Sequence, residues 1–311
     1  MTFFLSLRKK SLFLIIITII FYSIIAIFSD INDLTTNFKE MNYFLILPIL
    51  LATIGGLFVK SIRQYFLLKQ VKIKISFRQN IILYFSGLSL LSAPFGVGGI
   101  IKSHFLLKNF NHSISKTTPV ILIERFHDAI AMFTIIVFFV LISNFNSINI
   151  PLLIIGSFFI FFIIILKNGD LTYRLVSKLS KIKFLKITGE NTDDFFNSLT
   201  LLSKNKSLSS SWLLGLIGWL FDALAIYFSF LAFSLNFDFF ITTIIGFSSV
   251  LFGSLSFIPG GIGVTELSFV QLLSNYDIDL SLISALIIFI RFTGIWFATS
   301  LGFLAIKFTS K

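Results

Sequence analysis

The chain has 311 residues, 56% of them hydrophobic and only 13% charged, with 42 phenylalanines, no cysteine and a formal net charge of +11. That balance excludes an ordinary soluble domain, and the missing cysteine excludes a disulfide, a thiolate metal site and a thiol nucleophile. The basic residues cluster between apolar runs, so the excess charge points to the positive-inside bias and to anionic lipid, not to a nucleic-acid partner.

Arg8, Lys9 and Lys10 precede an apolar run over residues 11–28. The run is long and lacks a small-x-small cleavage site, so it reads as a retained first helix entering from the cytoplasm. Residues 29–42 carry Asp30, Asp33 and Glu40 against Lys39 and are expected outside. A second span, 43–59, returns to a strongly basic loop with Lys60, Arg63, Lys69, Lys72, Lys74 and Arg78. Residues 80–118 form a broken hairpin: 80–93, then Pro94-Phe-Gly-Val-Gly-Gly99, then 100–110, followed by a basic stretch. Charge parity leaves open whether it is re-entrant or crosses twice. Pro119 opens a long helix to residue 143, proline being favoured in a first turn. A charge-free loop over 144–149 leads to a span over 151–166.

Residues 167–210 are polar and basic, with Leu171, Leu175, Leu179 and Ile182 at helical spacing. That pattern suits an amphipathic helix on the inner leaflet or a linker helix. Residues 211–235 cross outward to Asp238. A second broken hairpin, 239–275, starts and ends beside Asp238, Asp277 and Asp279, and 280–308 returns to Lys307 and Lys311. The fold class is therefore all-α: one integral membrane domain over 1–311, a bundle of about six full spans plus two broken hairpins. Both termini are expected in the cytoplasm of a cell-membrane protein. The hairpins enter from opposite faces, as inverted repeats would.

The second break, Phe257-Ile-Pro-Gly-Gly-Ile-Gly-Val-Thr-Glu266, holds Pro259, Gly260, Gly261, Gly263 and Glu266 at membrane depth. Broken backbone there needs surrounding protein or a water-filled cavity, and a carboxylate there marks a functional site. Pro94 and Gly98 mark the first break, and Lys102 follows it, placed for a phosphate head group. Six charges are expected inside spans: Glu124, Arg125, Asp128, Asp222, Glu266 and Arg291. Two cations against four carboxylates leave an imbalance. Arg125 can pair with Asp128 at three residues' distance, and Glu266 is the first choice of partner for Arg291. The alternative is that these charges clamp helices without touching substrate. His104, His112 and His127 lack metal-ligand spacing, Trp212, Trp219 and Trp296 suggest packing and interface anchoring, and no hydrolase, P-loop or nucleotide fingerprint is present. No metal or cofactor is expected.

Three stretches, Pro94-Phe-Gly-Val-Gly-Gly-Ile-Ile-Lys102, Glu124-Arg-Phe-His-Asp128, and Pro259-Gly-Gly-Ile-Gly-Val-Thr-Glu266 followed by Arg291, resemble the lysylphosphatidylglycerol synthase transmembrane region, or flippase-like UPF0104, family. Gly99 stands where that family usually has an acid, and Lys102 where it usually has arginine. The resemblance implies a lipid-translocating membrane domain in its stand-alone form, and with no recognisable catalytic motif the chain is not expected to be an enzyme. Its substrate would be a phospholipid or a polyprenyl-phosphate-linked lipid. The competing readings are a non-catalytic membrane partner of a separate glycosyltransferase or aminoacyl-lipid synthase, and an intramembrane head-group transferase. Expected partners are anionic or phosphate-bearing membrane lipids, such a synthase, or a second copy of the chain.

Overall fold

A computed structural model describes residues 31–91, 99–143, 149–180, 191–256 and 258–309. The expected first helix at 11–28, Pro94 and Gly98 of the first break, residues 144–148 of the charge-free loop and Ile182 lie outside them. Among the described residues every regular element is helical. Four helical stretches among the described residues are long and apolar enough to cross a membrane: Tyr43–Gln70, Ile114–Ser143, Ser207–Ala232 and Leu280–Ile306. The chain is thus an all-α, polytopic helical bundle.

In chain order, α1 (Ile31–Glu40) precedes a short 3-10 turn and α2 (Ile46–Gln70). Next come α3 (Phe77–Leu88) and α4 (Ile100–Phe110), then the long α5 (Ile114–Ser143) and the apolar α6 (Asn149–Lys167). The polar stretch holds α7 (Gly169–Ser180) and α8 (Thr192–Leu202), and α9 (Asn205–Ala232) crosses back. The second hairpin is α10 (Phe239–Leu255) and α11 (Val264–Leu273), packed on each other. Finally α12 (Leu280–Arg291) continues through a π-helical segment, Phe292–Trp296, into α13 (Phe297–Ile306).

Local chemistry explains several ends. Ser76 Oγ accepts from the Gln79 N–H while Gln79 Oε1 accepts from the Ser76 N–H, a reciprocal cap that starts α3. α2 closes with the Lys72 N–H on the Lys69 carbonyl and the Ile73 N–H on the Leu68 carbonyl, the paired bonds of a left-handed C-cap. The second break turns through Gly260, Gly261 and Gly263, all at positive φ (62°, 65° and 88°), where a Cβ would be strained. At about 18, 16 and 15 Å, α3, α4 and α11 are each close to half of a ~30 Å bilayer core.

Several boundaries differ from the sequence reading, among them the start of α9, which at Asn205 lies inside the expected polar stretch. The segment 60–70 is not loop: α2 runs on to Gln70, because Leu67 and Leu68 are buried and extend its inward face. α5 begins at Ile114, so Pro119 lies inside the helix and not at its start. In the polar stretch, α7 covers Leu171, Leu175 and Leu179 of the expected amphipathic helix, and a further helix, α8, buries Phe195, Leu199 and Leu202 against the bundle.

Packing divides into apolar layers with charge between them. Along α2, Ile49 and Ala52 belong to one apolar cluster and Leu67 and Leu68 to another, with Lys60 and Arg63 in between. Along α5, Val120 and Ile123 join the second cluster and Met132 and Ile135 the first, with Glu124 and Asp128 between. The charged side chains thus fall near the middle of the crossing helices.

Candidate functional site

The charged layer is built on close helix contact. α2 and α9 meet at Gly56 and Gly218, where a Cβ on Gly56 would stand 2.9 Å from the Gly218 carbonyl oxygen. Small residues at such crossings let backbones approach where lipid supplies no hydrophobic drive. One turn on, Lys60 Nζ donates to Asp222 Oδ2 and sits 3.6 Å from the centre of the Trp219 ring. That ring face is electron-rich and favours a desolvated cation. The Trp219 Nε1–H in turn donates to Asp128 Oδ1 at 3.1 Å.

Asp128 is the hub. Arg63 Nη2 donates to the same Oδ1 at 2.8 Å, and Arg125 Nη1 lies 3.7 Å from Oδ2. The two arginines differ sharply: the Arg63 side chain is 2% exposed, the Arg125 side chain 42%. Arg63 Nε and Nη1 have no hydrogen-bond partner among the described residues. Beside Asp128, the buried His127 Nδ1 shares a 2.8 Å hydrogen bond with Ser211 Oγ.

From the first hairpin, Lys102 Nζ donates to Glu124 Oε2 at 2.8 Å, with the two side chains only 3% and 2% exposed. Its stem packs on Gly87 of α3, and its ammonium lies 4.7 Å from the centre of the Tyr84 ring. Glu124 Oε1 has no partner among the described residues. At the second hairpin, Arg291 Nε donates to Glu266 Oε1 at 2.9 Å, as the sequence predicts. Arg291 Nη1 also reaches the Gly260 carbonyl at 3.0 Å, and Nη2 the Gly261 carbonyl at 3.4 Å. Glu266 Oε2 accepts from the Gly263 N–H at 2.7 Å. The Arg291 guanidinium is spent on the turn itself. Pro259 starts that turn.

The two hairpins repeat one arrangement with the signs exchanged. In the first, a lysine after the break meets a glutamate on the following helix, 22 residues on. In the second, a glutamate after the break meets an arginine on the following helix, 25 residues on.

The count of charges differs from the sequence expectation. Lys60, Arg63 and Lys102 join the layer, so each of the four carboxylates Asp128, Asp222, Glu124 and Glu266 has a cation, and Arg125 is the fifth. No carboxylate is in surplus among the described residues. A lysine and arginine cluster beyond an apolar run looks like a loop under the positive-inside rule. The missed signal was spacing, since Gly56, Lys60, Arg63 and Leu67 share one helix face. Trp219 was also more than packing, because its N–H completes Asp128. Gly99 packs closely on a neighbouring helix: a Cβ there would stand 2.4 Å from Ile121 Cγ2, so a larger residue would have to displace that side chain. No group of three or more His, Asp or Glu that could hold a metal ion exists among the described residues.

Fold and site together define a multi-pass helical membrane protein with ion pairs buried across the middle of its bundle. Residues 14–302 match the family model described as the lysylphosphatidylglycerol synthase TM region, and the chain belongs to that family. It is 29% identical over 203 residues to a UPF0104 membrane protein of Methanocaldococcus jannaschii, covering 64% of this chain and 84% of that protein. It is 27% identical over 285 residues to a UPF0104 membrane protein of Pyrococcus horikoshii, covering 83% of this chain and 85% of that protein. A third, from Methanothermobacter thermautotrophicus, is 28% identical over 134 residues, 40% of each chain.

Proposed function

We propose that the chain carries a phosphate-bearing lipid, a phospholipid or a polyprenyl-phosphate-linked lipid, across the cell membrane, and that it transports the lipid without altering it. The observation that carries this reading is Arg125. It is a half-exposed guanidinium near the middle of a membrane-crossing helix, 3.7 Å from a carboxylate that Arg63 and Trp219 already hold. An ionisable group at that depth is a functional hypothesis by default. With ordinary charges, the layer's five cations and four carboxylates leave one positive charge, the complement of a phosphodiester. Arg125 can turn from Asp128 to phosphate without stranding the carboxylate. A guanidinium suits that exchange because its planar fork matches phosphate oxygens.

In this reading both hairpins are re-entrant, which the short α3, α4 and α11 support, and access alternates as the halves rock about the charged layer. The loops 69–78 and 167–210 and both termini face the cytoplasm, by their basic charge. Glu266 and Arg291 hold the turn in shape, Arg63 keeps Asp128 paired, and Arg125 receives the phosphate.

The test is translocation of head-group-labelled lipids of different charge in proteoliposomes, wild type against Arg125→Gln, with reconstitution verified for both. Loss of one charge-assisted contact, about 1.5–3 kcal/mol, predicts a ten- to hundredfold slower passage of phosphate-bearing lipid. Equal rates in the two proteins would remove Arg125 from the path. A wild type that moves none of the lipids, with or without a gradient, would overturn the transport reading.

A further inference from the structure

At the far end of α2 lies a second basic feature that the midplane layer does not use. An open, cleft-like cavity of about 580 Å³ is lined by Lys69, Lys72, Lys74, Ile75, Ser76 and Gln79. No acidic side chain lines it, and none of the three lysines forms an ion pair among the described residues. Ser76 and Gln79 are spent on the cap of α3, so the lysines set the cavity's chemistry.

Two further observations say what it takes. First, Lys72 has φ +59° at the left-handed position that closes α2, where glycine is the usual residue. A lysine held in that conformation is strained, and strain of this kind gathers at binding sites. Second, the cavity's cations run directly into an apolar ridge. Lys69 Nζ lies 4.3 Å from the centre of the Tyr65 ring, Tyr65 packs edge-on against Phe77 at 5.4 Å, and Phe77 against Phe58 at 6.3 Å. Phe58 and Phe77 are 43% and 38% exposed. The stretch Tyr43–Gln70 has 28 residues and spans about 42 Å, the thickness of a bilayer with its head groups. Lys69 therefore sits at head-group level, with the aromatic ridge descending towards the hydrocarbon.

We propose that the Lys69–Lys72–Lys74 cavity is a binding site for the phosphate-bearing head group of an anionic lipid, whose acyl chain lies along Phe77 and Phe58. The site is distinct from the midplane layer. It does not depend on whether the chain translocates lipid, because binding is read directly.

The experiment uses the purified full chain in detergent and measures retained lipid by native mass spectrometry. It offers phosphatidylglycerol and phosphatidylcholine of the same chain length, with inorganic phosphate as competitor. Lys72→Gly is the discriminating variant, because it relieves the left-handed strain while removing a charge. It is expected to unfold no more easily than wild type yet to retain less phosphatidylglycerol. Lys72→Gly combined with Lys74→Gln should lower retention about tenfold or more, each lysine near a head group contributing separately. Phe77→Ala should lower retention of phosphatidylglycerol, and inorganic phosphate should not displace it. Wild-type retention in the double variant, or equal retention of the two lipids by wild type, would overturn the proposal. So would displacement by free phosphate with no effect of Phe77→Ala, which would make the cavity a site for soluble phosphate.

Discussion

Replacing Lys102 by methionine tests how the charged layer is held together. The Lys102 and Glu124 side chains are 3% and 2% exposed, and their contact is 2.8 Å. Glu124 Oε1 has no hydrogen-bond partner among the described residues, so the substitution would leave a buried carboxylate without its ion-pair donor. Breaking a buried pair from one side costs about 3–5 kcal/mol. That is a large share of a folded protein's ~5–15 kcal/mol stability. Removing both charges, as Lys102→Met with Glu124→Leu, should come back to within about 1–2 kcal/mol of wild type, because the desolvation penalty leaves with the pair. The cycle's coupling energy should therefore be about 2 kcal/mol or more. The assay is equilibrium unfolding of the purified protein by denaturing detergent, followed by circular dichroism for wild type, both single variants and the double. A cost below about 1 kcal/mol for Lys102→Met, or costs that simply add, would show that Glu124 is not closed off by Lys102. The description of the layer as sealed pairs would then be wrong.

Two further substitutions probe its supports. Trp219→Phe keeps a ring under Lys60 but removes the donor to Asp128, and should cost about 1.5–3 kcal/mol in the same unfolding assay. Gly261→Ala places a Cβ 2.9 Å from Gly253 Cα at φ +65°, and should cost at least about 2 kcal/mol or abolish folding, read as loss of monodisperse protein on size exclusion.

Much of this architecture can be read without coordinates, because a bilayer imposes hard rules on composition. Apolar length marks the crossings, and proline with glycine at membrane depth marks the turn at Pro259–Gly263. Arg291 had to find a carboxylate, and Glu266 stood nearest in the pattern. Lys60 and Arg63 were hidden by the same rule that makes topology legible, since basic residues beyond an apolar run signal its end. Only their register with Gly56 and Leu67 separates a buried face from a loop. The role of Trp219 depends on which residue of another helix lies beside it, and spacing along one helix carries no such information. The constraint on Gly99 comes likewise from Ile121 in a neighbouring helix.

The π-helical segment after Arg291 sets the rotational offset between the helix's contacts with the two hairpins. Arg291 faces the second break, and eleven residues on, Gly302 lies so close to the first hairpin that a Cβ there would stand 2.2 Å from the Ser89 backbone nitrogen. At about 100° per residue, eleven residues of plain α-helix would bring Gly302 back to within roughly 20° of the Arg291 face. The wide turn of Phe292–Trp296 absorbs about one residue of that rotation and lets the two halves of one rod mesh with different neighbours. One continuous helix thus touches the second break at Arg291 and α3 at Gly302, and its π-helical segment lies directly after Arg291.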